Sequence, residues 1–233
     1  MPTPHVKTRK YDATGRRERA TVRRGRIVTA ARQRFLTAGY VATTVAAVAA
    51  DAQVSVDTIF KTFGGKVGLL EAAWWHALEG QGERPAEERA DIAAQDGDAR
   101  GMIATWAALS GEVGAETSGL FALIRSLAVV DPAVSDLYHR IEQSRTERMT
   151  HNAKLLAGTG AMRPGLSIAQ ARDILLAVSG HLPEPLLEQA GWSRTDYVDL
   201  VNRILQSALL DATPRPRPAT EVPPKAAPAR RRT

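Results

Sequence analysis

The chain has no cysteine and few aromatic residues, four each of Trp, Tyr and Phe. Without cysteine, disulfides and thiolate metal sites are out of reach, which fits a reducing interior and gives no support to a secreted, disulfide-stapled scaffold. Long apolar runs are missing too. The stretches at 41–50 and 119–130 are short and broken by threonines or by Arg125, so neither is long enough to span a membrane. The opening MPTPHVKTRKYDATGRRERATVRRGR is basic but leads into no apolar run that could act as a signal peptide. The expected compartment is the cytoplasm, with no membrane partner.

Catalytic signatures are equally sparse. The five histidines, His5, His76, His139, His151 and His181, are scattered without ligand spacing. No phosphate-binding Gly-Lys-Ser/Thr loop, dinucleotide fingerprint or Gly-x-Ser-x-Gly elbow occurs. His139 and Glu142 read more readily as a surface pair than as metal ligands. The expectation is no enzyme, no metal and no cofactor.

What is present is a 233-residue chain, 44% hydrophobic, which is enough for a core of ordinary size and a second small one. Its charge is divided unevenly. Residues 1–26 hold nine Lys or Arg against Asp12 and Glu18, and residues 212–233 hold six against Glu221. The ends together carry about +12 while the whole chain carries +6, so residues 27–211 are net acidic. An acidic body with basic ends suits contact with a polyanion at chosen places. The Pro- and Arg-rich segment 212–233 is expected to be disordered, and residues 1–26 to form a basic, flexible arm.

Helical periodicity begins at Ile27, with Ala31, Phe35 and Ala38 on one face and a stop at Gly39. Thr43 and Thr44 can cap a second helix carrying Val45, Val48, Ala49 and Ala52. After Gln53-Val54, Ser55 can cap a third, with Asp57 in its first turn and Ile59 and Phe63 facing inward, ending at Gly64-Gly65. Helices this short must lean on the first one, which makes a helix-turn-helix. The outward face of the third then carries Val56, Asp57, Thr58, Phe60, Lys61 and Thr62. Methyls pack on thymine, Lys donates to guanine, Asp accepts from cytosine and Thr serves base or phosphate, so this face suits a major groove.

The segment at 27–74, IVTAARQRFLTAGYVATTVAAVAADAQVSVDTIFKTFGGKVGLLEAAW, resembles the N-terminal domain of the TetR family of bacterial transcriptional regulators. Phe35, Gly39, Tyr40, Thr43, Thr44, Val54, Ser55, Thr58, Ile59, Phe63, Lys66 and Leu69 match the family's pattern at fixed spacing. The resemblance implies that Thr44 and Lys66, at two helix N-termini, clamp phosphates. It leaves Val56, Asp57, Thr58, Lys61 and Thr62 to read sequence or adjacent phosphates. The pattern is broken in three places. Gln53 stands where glycine is common in the turn, Phe60 stands where tyrosine is usual, and Asp57 lies close to where phosphates run. Affinity then leans on the arm, where Arg23 and Arg24 lead into the first helix and could track phosphates or enter a minor groove.

The remainder also reads as helical, which makes the fold all-α. A fourth helix runs from Lys66 to about Glu79, followed by a polar connector at 80–100. A fifth helix (Met102, Trp106, Leu109, Val113), a sixth (Leu120 to Leu127) and a long seventh (Val134 to about Leu156) come next. An eighth is capped by Ser167, and a last is capped by Ser193 and carries Tyr197, Val201, Ile204 and Ala208. The expected domains are a reader at 27–72 and a body at 73–211. By resemblance, that body binds a small-molecule effector and forms a homodimer through its last two long helices. One short recognition helix makes too few contacts alone, whereas a two-fold pair about 34–36 Å apart reads a palindromic operator on double-stranded DNA. Trp75, Met102, Trp106, Phe121, Arg125 and Tyr138 lie on or near the helices that enclose the family's cavity. Each taken singly reads more readily as packing or surface, and only the group argues for a cavity. The alternative is an architectural DNA binder that uses its basic ends, without an effector and without preference for its own promoter.

Overall fold

The computed structural model describes residues 13–95 and 97–211. The amino-terminal twelve residues and the Pro/Arg-rich segment 212–233, for which disorder was expected, lie outside them.

Among the described residues ten helices follow one another: α1 (Ala13–Thr37), α2 (Gly39–Ala42), α3 (Val45–Asp51), α4 (Val56–Phe63), α5 (Lys66–Glu79), α6 (Ala86–Ala93), α7 (Ala99–Leu127), α8 (Pro132–Gly158), α9 (Ile168–His181) and α10 (Arg194–Leu209). A further wide helical turn spans Glu184–Gln189 between α9 and α10. Among the described residues no strand forms, and the one β-bridge pairs Met162 with Leu210. No described helix is long and apolar enough to cross a membrane.

The helix starts follow their caps. Thr44, Ser55, Ser167 and Ser193 each accept a backbone N–H three residues on, and Asp98 and Asp131 cap α7 and α8 in the same way. Four elements depart from the periodicity, the first being α2, a single turn that starts at Gly39 where only a stop was expected. The first helix begins at Ala13 rather than Ile27, because its Arg, Glu and Ala residues favour helix without supplying an apolar stripe to reveal it. The polar connector at 80–100 contains α6, which buries only Ala86 and Ala90. The fifth and sixth helices are a single α7, continuous through Gly111, Gly114 and Gly119.

Two apolar cores result. The first joins Phe35 of α1, Val48 of α3, Ile59 of α4 and Leu69 and Leu70 of α5 to Leu120 and Ile124 of α7 and Leu137 and Ile141 of α8. The second gathers α6, the first half of α7, the second half of α8, α9 and α10 around Ile103, Leu156, Tyr197 and Val201. α7 and α8 therefore run through both cores. Their length couples the three-helix head to the body.

Candidate nucleic-acid interface and cavity

α3 and α4 meet through a turn in which Gln53 takes a left-handed backbone, φ 54°. The place where glycine is common is thus held by a strained non-glycine. Arg34 of α1 braces the turn from below, donating to both carboxylate oxygens of Asp51 at 2.5 and 2.8 Å. The guanidinium holds the Asp51 carboxyl below its usual range.

α4 buries Ile59 completely and tucks Phe63 partly inward. Its outward face presents Val56, 40% exposed, and Phe60, 53% exposed. Both are large apolar groups left in water. Between them Asp57 and Lys61 pair at 2.7 Å, one helical turn apart, so the carboxylate and the ammonium expected to act separately face each other in the free protein. Ser55 is occupied as the cap and shares a hydroxyl hydrogen bond of 2.8 Å with Thr58. The Thr62 hydroxyl donates to the Thr58 carbonyl at 2.7 Å. These three hydroxyls are already oriented by their own helix.

Thr44 caps α3, accepting the Ala47 N–H at 3.1 Å. Lys66 begins α5, and its ammonium turns back over the Tyr40 ring at 4.1 Å and donates to the Val41 carbonyl at 3.3 Å. Partial burial lowers the Lys66 pKa from its ordinary value. The short α2 thus serves as a cradle for this cation. From the other side the Arg24 guanidinium stacks over Phe63 at 4.7 Å, which docks the basic extension of α1 against the end of α4. Arg23 lies one position earlier on the exposed surface of α1.

In the body, a cavity of about 170 Å³ opens between α5, α6, α7, α8, α9 and α10. Of the six residues expected there, only Trp106 lines it. Phe121 and Tyr138 instead belong to the first core, where the Phe121 ring lies 5.7 Å from the Trp74 ring and 6.0 Å from the Tyr138 ring. Arg125 lies over the Phe121 ring at 6.0 Å. Met102 is fully buried packing in the second core. Trp75 points outward, 36% exposed, toward the Glu71 carboxylate.

Periodicity did not single out the residues that do form the wall. Arg145 and Arg148 reach it from α8, each with a carboxylate partner: Glu142 for Arg145, and Asp91 at 2.8 Å for Arg148. Trp74 and Asn152 line it as well, and the Trp74 Nε1 and Asn152 Oδ1 atoms are buried without a hydrogen-bond partner in the protein. Trp74 reads as core in the sequence, and Asn152 gives no signal beyond being polar inside a helix.

A three-helix head with a short exposed third helix, set on a helical body that holds a cavity, is a helix-turn-helix architecture. Residues 27–73, which span the head, match the family model of bacterial regulatory proteins, tetR family. Solved structures share the fold over most of this chain. A Rhodococcus sp. protein assigned as a TetR-family transcriptional regulator is 21% identical, with a TM-score of 0.63 over 81% of this chain and 99% of its own. A Saccharomonospora viridis protein assigned as a transcriptional regulator, solved in complex with choline, is 17% identical, with a TM-score of 0.63 over 82% and 99%. A Clostridium perfringens protein assigned as a fatty acid metabolism regulator is 16% identical, with a TM-score of 0.57 over 80% and 100%. No curated protein matches the chain.

Proposed function

We propose that the protein is a homodimeric transcriptional repressor that binds a palindromic operator through α4 and is released by a small molecule held in the body. The observation that carries this reading is the face of α4. In eight residues it sets Val56 and Phe60 beside Asp57 and Lys61 on one exposed side, a mixture of apolar and charged groups that suits base edges in a major groove. In this reading Val56, Asp57, Thr58, Phe60, Lys61 and Thr62 meet base edges and neighbouring phosphates. Thr44, Ser55 and Lys66 sit at three helix N-termini where phosphates are favoured, and Arg23 and Arg24 add backbone contacts. The partner copy packs through α9 and α10 and places the second α4 about one DNA turn away.

Release follows from α5. This helix starts at Lys66, against the DNA-facing cradle, and carries Trp74 at the cavity wall, eight residues and about 12 Å further along. A ligand that prefers one position of Trp74 tilts α5 and moves the two reading helices out of register. Nearly complete switching requires roughly 10⁴-fold preference between the two states. The choline complex of the Saccharomonospora viridis protein supports a small-molecule site in this fold.

The test is fluorescence-anisotropy binding to the duplex upstream of the protein's own gene and to a scrambled duplex, at several salt concentrations. Lys66→Ala is expected to weaken both duplexes alike, whereas Lys61→Ala or Thr58→Ala also narrows the difference between them. No preference for any genomic duplex over scrambled DNA would replace this reading with architectural binding.

A further inference from the structure

The cavity carries a chemical signature of its own. Trp74 and Asn152 are 3% and 5% exposed, yet the indole Nε1 donor and the amide Oδ1 acceptor have no partner in the protein. Buried polar groups are nearly always satisfied, and here one donor and one acceptor are left unmatched on two residues that line the same cavity. The rest of the wall is largely apolar, with Trp106, Leu109, Val113, Met149 and Leu175. Its charges are already balanced: Arg145 by Glu142, and Arg148 by Asp91. Glu87 belongs to an exposed position at the rim.

We infer that the cavity takes an uncharged, mainly apolar small molecule that presents one hydrogen-bond acceptor to the Trp74 indole N–H and one donor to the Asn152 carbonyl oxygen. A carboxylate offers no donor to the Asn152 carbonyl oxygen, and the guanidinium groups that would attract it are each paired with a carboxylate. An alkylammonium offers no acceptor to the Trp74 indole N–H, and the carboxylates that would attract it are each paired with a guanidinium. At about 170 Å³ the space is smaller than the roughly 300–1,000 Å³ of sites for drug-sized ligands, so the molecule is small. The inference rests on the effector reading above for its biological meaning, but its chemistry is tested without DNA.

The probes are octanamide, octanoate and octylammonium, which share one chain and differ in charge. They are titrated into the full-length protein at neutral pH and followed by tryptophan fluorescence. Octanamide, which has both an acceptor and a donor, is expected to bind at least about tenfold more tightly than either ion. Asn152→Leu and Trp74→Phe should each weaken octanamide about tenfold, the loss of one buried hydrogen bond. Asn152→Leu, by removing an unmatched acceptor, should also melt no lower than the unmodified protein, whereas a structural role for Asn152 would lower the melting temperature. Trp74→Phe keeps the ring packing and stands as the second variant should Asn152→Leu not fold. Equal or tighter binding of octanoate or octylammonium, no saturable octanamide binding, or unchanged affinity in both variants would overturn the inference. Any of these results leaves the DNA-binding reading intact, and loss of specific DNA binding leaves the octanamide result intact.

Discussion

Gln53 is the one non-glycine with a positive φ among the described residues, in the turn between α3 and α4. Its left-handed φ of 54° sets the angle between α3 and α4, and a side chain other than glycine is strained there. Gln53→Gly removes that strain but adds freedom to the unfolded chain, so the net gain should be about 0.5 kcal/mol in urea unfolding. Gln53→Val, branched at Cβ, should lose at least about 1 kcal/mol. A second residue-scale outcome concerns Asp57. Its pairing with Lys61 is exposed at both ends, 70% and 76%, so Asp57→Asn should change stability by no more than about 0.5 kcal/mol. On DNA the same change removes an anion from the phosphate surface and frees the ammonium. Non-specific affinity should then rise and the salt dependence steepen, readable from anisotropy at several salt concentrations.

At the scale of elements, the closest approach is between α4 and α5. A Cβ built at Gly68 would lie 1.7 Å from the Phe63 carbonyl oxygen, a backbone atom that cannot step aside. Gly68→Ala must therefore push α5 away from α4, and we expect a loss of about 2–3 kcal/mol together with loss of specific DNA binding. Circular dichroism during urea unfolding checks the first and anisotropy the second. Glycine also explains where periodicity misled. Gly111 lies against Val198 of α10 and Gly114 against Pro183, so these positions in α7 are close-packing points and not a break between two helices. In the head α3 and α4 were legible, because they announce themselves through Thr44, Ser55 and Gly64 and through inward pairs such as Ile59 and Phe63, whereas the four-residue α2 was hidden behind Gly39, which reads as a stop. The basic start of α1 was not legible, since Arg17, Arg19, Arg23 and Arg24 favour helix without a buried face. Nor was the cavity wall: Trp74 looks like any core aromatic, and an orphaned atom such as Asn152 Oδ1 exists only once its neighbours are placed.

At the scale of the whole molecule, the acidic body is held together partly by ion pairs around α6. That helix buries little apolar surface, and it is fastened by Arg89 to Glu112 at 2.6 and 2.9 Å and by Arg148 to Asp91. It also supplies Ala86, Glu87 and Ala90 to the cavity wall, so its docking decides whether the cavity stays closed. The Arg89 guanidinium and the Gln81 backbone N–H hold the Glu112 carboxyl below its ordinary range, against the effect of burial. At Asp91 burial acts to raise the pKa, but Arg148 and His151 outweigh it and the net shift is downward. Both groups are thus easier to ionise in the folded state than in the unfolded one. The stability they contribute is fully present above the unfolded carboxylate range of about 4 to 4.5, and it is lost as pH falls through their lower folded values. Between about pH 5 and pH 3 the backbone amides of residues 86–93 should lose hydrogen-exchange protection ahead of those of α7 and α8. Glu112→Gln should remove about 1 kcal/mol at pH 7 and flatten the acid limb of stability by a similar amount, because the group that must be protonated is gone. An acid limb identical in Glu112→Gln and the unmodified protein would mean that α6 is held by its alanines and not by charge.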